Sequence, residues 1–317
     1  MATLFIIGNG FDIAHGIPSK YYDFREFVIK LYPEALKYRD EAILIDDMAD
    51  IDSKEFAAEI LLTTMDKVSG YDWSNFEDAL AYVNFNHKFP LPNHRDDETD
   101  DEDNELMLEY LMYMDALSSA YVSCSTYWQV LFSLWIKDIQ THIDNKCFDH
   151  REGLREMFSD PDTYFLTFNY TKTLQRLYGV RKVIHIHNFV GQKLIFGHGQ
   201  DDAFYGQLHH ELNGHLFLGS SSLDNLISSF RKDTNTPCRT HRTFFRQLDD
   251  KIDRVYSYGF SYGEVDSVYI KEIVNRISSK ATWFFTSFEA KDNEAILQKQ
   301  AKLRSYGFNG LFDVYEG

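Results

Sequence analysis

Chemistry in this chain is concentrated in four short phrases. Gly8-Asn9-Gly10-Phe11-Asp12 follows directly on the apolar, β-branched run Thr3 to Ile7. Glycines there let the backbone turn, take positive φ and bring unshielded amides to a ligand, as in a phosphate cradle. Thr167-Phe168-Asn169-Tyr170-Thr171 supplies, at Asn169, a carboxamide that donates and accepts at once. His185-Ile186-His187-Asn188 sets two imidazoles at period two, on one face of a strand, with His187 nearer its carboxyl end. An imidazole accepts a proton near neutral pH. Gly259-Phe260-Ser261-Tyr262-Gly263, with Asp266 beyond it, adds a second close-approach glycine and a hydroxyl able to bond a sugar or phosphate.

Each phrase also has a plainer reading. Gly8 and Gly10 suit an ordinary strand-to-helix turn, Asp12, Asn169 and Thr171 suit helix caps, and His185 and His187 suit hydrogen-bonded core positions. Gly259, Ser261 and Gly263 also spell a G-x-S-x-G nucleophile elbow, but no histidine follows Ser261 to complete that order. A metal site drawn from His185, His187, His198, His209 and His210 is a further alternative, though it has no committed carboxylate partner. No metal is expected.

These phrases need a sheet to gather them. Short runs rich in Ile, Val, Phe and Tyr predict strands at Thr3–Ile7, Tyr164–Phe168, Lys182–His187, Leu194–Phe196, His215–Leu218, Arg254–Tyr258 and Thr282–Phe288. Helical stretches separate several of them, at Thr171–Tyr178, Leu223–Arg231, Thr240–Ile252, Glu264–Ile277 and Ala290–Arg304. The alternation predicts an α/β fold with a mostly parallel sheet, whose ligand lies beyond the strands' carboxyl ends. Between residues 20 and 150 the periodicity is helical instead. Tyr21, Phe24, Val28 and Leu31 line one face, Ser53–Val68 reads as a second helix, and Leu106–Ile143 as a long aromatic one. Trp73 and Phe76 anchor the start of another helix, capped by Ser74 or Asn75, with Glu77 at its dipole. The expected organisation is a nucleotide-binding domain from residues 1–19 and 151–317, interrupted after its first strand by a helical insertion of residues 20–150. The acidic run 95–105 reads as a solvated loop.

A chain of 317 residues with 44% hydrophobic and 16% aromatic content buries a large core. Its net charge of -17 disfavours nucleic acid and anionic membrane surfaces as partners but leaves room for a single nucleotide. Cys124, Cys147 and Cys238 are odd in number and widely spaced, which suits reduced thiols and makes no zinc knuckle. With no signal-like segment at the N-terminus, a cytoplasmic protein is expected.

The opening GNGFDIAHGIP is similar to the sirtuin phrase G-A-G-x-S-x-x-x-G-I-P, with Asn9 and Asp12 differing. The longer phrase GNGFDIAHGIPSKYYDF, with W-x-x-F-E at Trp73, F-N-Y-T at Phe168, the segment Gly197–Asp202 and G-x-S-x-x-x-V-D at Gly259, resembles the AbiH family of phage abortive-infection proteins. The combined resemblance implies a Rossmann-like, sirtuin-like core that takes NAD as substrate and cleaves its nicotinamide–ribose bond. It implies that Gly8, Asn9, Gly10 and Asp12 hold pyrophosphate, and that Thr167, Thr171, Gly259, Ser261 and Asp266 bind the nucleotide. Asn169 then orients ribose and water, and His187 takes the proton. Thr171 stands where sirtuins have aspartate, and Asn188 where they have glycine. The alternative is a sensor that binds NAD, ADP-ribose or a related nucleotide without turnover. A phage-encoded trigger, an operon partner and a homo-oligomer remain open as partners.

Overall fold

The computed structural model of the protein describes residues 2–36, 53–83, 100–200 and 228–317. It divides into two compact units: residues 1–20, 135–196 and 232–317 in one, residues 21–134 and 197–231 in the other.

The first unit is an α/β layer structure built on six parallel strands. They are β1 (Ala2–Ile7), β2 (Thr163–Thr167), β3 (Ile184–His185), β4 (Ile252–Tyr258), β5 (Thr282–Thr286) and β6 (Leu311–Tyr315). Their spatial order is β3-β2-β1-β4-β5-β6, so the chain order reverses on either side of β1. Alternation along β1 feeds two cores. Leu4 and Ile6 pack with Leu166, Val255, Trp283 and Phe285 on one face. Phe5 and Ile7 pack with Phe165, Tyr256 and Tyr258 on the other, where the Phe5 ring stacks on Phe165 and Tyr256 at 5.6 and 4.9 Å. Apolar residues on both faces of β1 are what a central parallel strand requires.

Several elements differ from the sequence reading. β3 keeps only Ile184–His185 of the expected Lys182–His187, because the chain turns at Ile186–His187 and Asn188 adopts φ 63. Leu194–Phe196 forms no strand, and Ile195 N–H only returns to His187 O at 3.0 Å. The expected helix Thr240–Ile252 is split into Asn235–Thr240 and Arg242–Gln247, and Ile252 starts β4. β6 and the helix Glu152–Phe158 were not expected. β6 is an edge strand with Leu311 and Val314 exposed, so backbone pairing rather than an apolar alternation defines it. The expected strand His215–Leu218 and residues 223–227 of the expected helix lie outside the described residues.

In the second unit the helices Tyr21–Leu31 and Ser53–Ser69 and the short helix Phe76–Ala79 meet around an aromatic cluster. Phe24 approaches Phe76 and Phe132 edge-on at 5.4 Å each, and Trp73 stacks on Phe76 at 5.5 Å. Leu31, expected on the buried face, is exposed. Arg25 forms a fork on the buried Asp66, 2.7 and 2.9 Å, and Trp73 Nε1 donates to the same carboxylate at 2.8 Å. Glu77 accepts from Tyr21 Oη at 2.5 Å. Asn75 occupies the cap position without a side-chain cap bond. The helix Asp100–Asn145 begins inside the acidic run. Residues 100–105 are therefore helical rather than a loop, as acids in a first helical turn favour, and residues 95–99 lie outside the described residues. Among the described residues no helix is long and apolar enough to cross a membrane.

Candidate functional site

Register gathers the phrases. Ile7 lies beside Thr167 on one side and Tyr258 on the other, and Thr167 lies beside His185. The residues that follow β1, β2, β3 and β4 therefore leave the sheet at one rim, the carboxyl end, where open parallel sheets hold ligands.

At the centre of that rim three glycines make room for one another. Gly259 has φ 60, and a Cβ there would lie 2.4 Å from Gly10 Cα. A Cβ on Gly8 would meet Gly259 O at 2.5 Å, and one on Gly10 would meet Gly259 Cα at 2.6 Å. Gly8 N–H donates to Tyr258 O and Gly10 N–H to Gly259 O, at 2.9 and 3.0 Å. Both amides expected to hold pyrophosphate are thus committed to carbonyls of the β4 end, and the glycines first serve backbone-to-backbone packing. Asn9 is exposed, and its Nδ2 donates to Ser19 O at 2.6 Å.

Asp12 is buried, 1% exposed. Its Oδ2 accepts from Thr171 Oγ1 at 2.5 Å, and Thr171 Oγ1 sits 3.0 Å from Thr173 Oγ1. Its Oδ1 has no hydrogen-bond partner, and neither does the buried Asn169 Oδ1. Burial pushes the Asp12 carboxyl up from 3.8 to about 6, against the lowering effect of Thr171, Thr173 and Asn169. Because the folded protein holds that proton more tightly than the unfolded chain, Asp12 favours the fold below its unfolded value and loses that advantage as pH rises to about 6. Asp12→Asn is therefore expected to be more stable than the parent at pH 7.5 by up to about 3 kcal/mol. The gain should vanish below about pH 4, and urea melts at the two pH values measure it.

Thr167 Oγ1 accepts from Asn169 N–H at 3.1 Å and itself points to Ile7 O at 3.4 Å, which fixes the β2 exit. His185 reinforces it. Gln175 donates to its Nε2 at 2.8 Å, and its Nδ1–H donates to Asn169 O at 3.0 Å. Burial pulls the His185 pKa down to about 4, so it is a neutral core histidine that positions the Asn169 loop.

His187 does not share His185's surroundings, contrary to the period-two expectation, because the turn after β3 interrupts the alternation. It is 2% exposed and packs among Phe168, Tyr170 and Tyr269, with ring centroids 5.3, 6.1 and 5.8 Å away. Its Nε2 lies 3.1 Å from Asp266 Oδ1, off the line of a hydrogen bond, so the contact is an ion-pair approach when the ring is protonated. Lys232, buried at 6% exposure, reaches the same Asp266 oxygen at 3.2 Å. Burial alone would raise the Asp266 pKa, but the charges of His187 and Lys232 outweigh it and hold it down at about 2. Asp266, expected to touch nucleotide, thus faces His187 and Lys232.

Sequence reasoning missed Lys232 and Thr173, since neither stands in a motif and only tertiary contact reveals their partners. Asn188 takes the left-handed conformation, φ 63, that glycine and asparagine tolerate best. Ser261 is exposed. The left-handed residue beside it is Tyr262, φ 59, whose buried hydroxyl accepts from Trp283 Nε1 at 2.9 Å, so the strained nucleophile of an elbow is not at Ser261. Among the described residues no three His, Cys, Asp or Glu side chains group as metal ligands; His209 and His210 lie outside them.

Comparison with curated proteins and with solved structures finds no match. The family model described as "Bacteriophage abortive infection AbiH" matches residues 4–287, which spans the β1 turn, the Asn169 and His187 loops and the β4 end. The chain belongs to the AbiH family of bacteriophage abortive infection.

Proposed function

We propose that this AbiH protein acts in phage defence by hydrolysing NAD at the nicotinamide–ribose bond, so that an infected cell loses its cofactor. The observation that carries the reading is the meeting of the Asp12, Asn169 and His187 loops at one carboxyl rim, beside the reversal in strand order. A Rossmann-like, sirtuin-like nucleotide core has that strand order and binds its ligand at that reversal. Cleavage of a cationic leaving group passes through an oxocarbenium-like transition state, which asks for a placed water and a base more than for a strong nucleophile.

In this reading Asn169 Oδ1, buried without a partner, holds ribose or water. His187 accepts the proton that water releases, and Asp266 steadies the resulting imidazolium from 3.1 Å. The aromatic rings around His187 exclude bulk water. The committed glycine amides leave pyrophosphate to other donors. Purified protein incubated with NAD is expected to release nicotinamide, and Asn169→Ala and His187→Ala to lose about 10²-fold or more of that rate while keeping the parent circular dichroism. Parent-like release by both variants would remove these residues from the reaction.

One observation favours a second reading, a nucleotide sensor without turnover: Asp12, Asn169 and His187 are only 1%, 6% and 2% exposed. ADP-ribose binding by calorimetry, with no nicotinamide released by any variant in the presence of phage extract, would select it.

A further inference from the structure

We infer that Asp12 and Asn169 form a two-acceptor clasp for the vicinal hydroxyls of a sugar, so that the β1 turn receives ribose rather than phosphate. The clasp deepens the NAD reading and rests on it only for the bond cleavage that comes after binding.

Asp12 Oδ1 and Asn169 Oδ1 are both buried with no partner at hydrogen-bond geometry, while the Asn169 amide and the Thr173 hydroxyl lie close enough to the Asp12 carboxyl to lower its pKa. A buried acceptor left unpaired costs roughly 1–3 kcal/mol, so a ligand that supplies donors to both is favoured. An ionised phosphate supplies none and is repelled by a carboxylate. A diol supplies two O–H groups, and carboxylates bind ribose hydroxyls in dinucleotide sites. The second oxygen of Asp12 is already held by Thr171, which leaves Oδ1 as the acceptor that a hydroxyl donor would satisfy.

The clasp accepts fully only when Asp12 is ionised. The groups that face its carboxylate are Thr171, Thr173 and Asn169, none of which titrates in the working range. The histidines on the adjoining segments are turned elsewhere: His15 to Phe11 O and Tyr178 Oη, His185 to Asn169 O and Gln175. Since the Asp12 carboxyl sits near pH 6, ligand affinity should follow that ionisation. An anionic carboxylate beside the sugar also stabilises positive charge developing on the ring during cleavage.

The test uses the full chain, ADP-ribose as probe and calorimetry from pH 5 to 8, together with the pH profile of nicotinamide release from NAD. ADP-ribose should bind about 10-fold more weakly at pH 5 than above pH 7, in step with Asp12 protonation. Asp12→Asn should bind weakly at every pH. Thr171→Val, which removes the hydroxyl that lowers the Asp12 pKa, should move the acidic limb to higher pH, an effect that a packing role would not produce. If NAD is cleaved but both variants keep the parent affinity and limb, the clasp is overturned and cleavage stands. If no NAD is cleaved but the ADP-ribose limb is present and moves in Thr171→Val, cleavage fails and the clasp stands. Equal binding of inorganic pyrophosphate and ADP-ribose, without pH dependence, also overturns the clasp.

Discussion

Asp266→Ala is expected to lose about 3–5 kcal/mol of stability at pH 7, the cost of breaking a buried ion pair from one side. The Asp266 side chain is 12% exposed, and its Oδ1 lies 3.1 Å from His187 Nε2 and 3.2 Å from Lys232 Nζ. Its folded pKa of about 2 stands below the ordinary 3.8, so its stabilisation is present above 3.8 and disappears as pH falls towards 2. The stability difference between parent and variant should shrink over that window, which denaturant melts along a pH series measure. Asp266→Asn, closer in shape, tests the chemistry. It keeps the packing but removes the charge beside His187, and under the proposed NAD cleavage nicotinamide release should fall by about 10²-fold or more. Parent-like release by a folded Asp266→Asn would show that the Asp266 charge does not assist His187.

Gly259→Ala should destabilise by about 2–5 kcal/mol, the sum of a left-handed backbone penalty and overpacking. At φ 60 its new Cβ would stand 2.4 Å from Gly10 Cα and 2.6 Å from Phe11 N, both backbone atoms with no rotamer to change. Two controls separate the causes. Gly16→Ala has φ 73 but nothing within 4 Å of its Cβ, so it should show the backbone penalty alone, about 1–2 kcal/mol. Gly263→Ala meets only Ser261 Oγ, at 3.9 Å, and should be near neutral. A Gly259→Ala protein as stable as Gly263→Ala would show that the β1 and β4 turns separate freely, and the packing account of the three glycines would fail.

Much of the strand pattern was legible because parallel strands buried on both faces read as dense apolar runs. Leu4 to Ile7, Phe165 to Thr167 and Val255 to Tyr258 are such runs, and each is buried in the sheet. The same signal overextended β3, since hydropathy cannot register the turn at Ile186 and His187. It was silent on β6, whose exposed Leu311 and Val314 follow no core face. Trp73 and Phe76 were readable as anchors because large aromatics beside a helix start rarely remain in solvent.

The sequence by itself determined on which strand ends the glycine, carboxamide and imidazole phrases ride, because local apolar period and glycine placement are properties of neighbouring residues. It also carried the family, through phrases spread from the first strand to the fourth. Tertiary structure alone decided the partners. Lys232 and Asp266 share an ion pair with His187, Gly8, Gly10 and Gly259 exclude one another's side chains, and Asp12 leans on Thr171 across 159 positions of chain. Charge, burial and steric exclusion act through space, and no local pattern encodes which distant residue will arrive beside a given one.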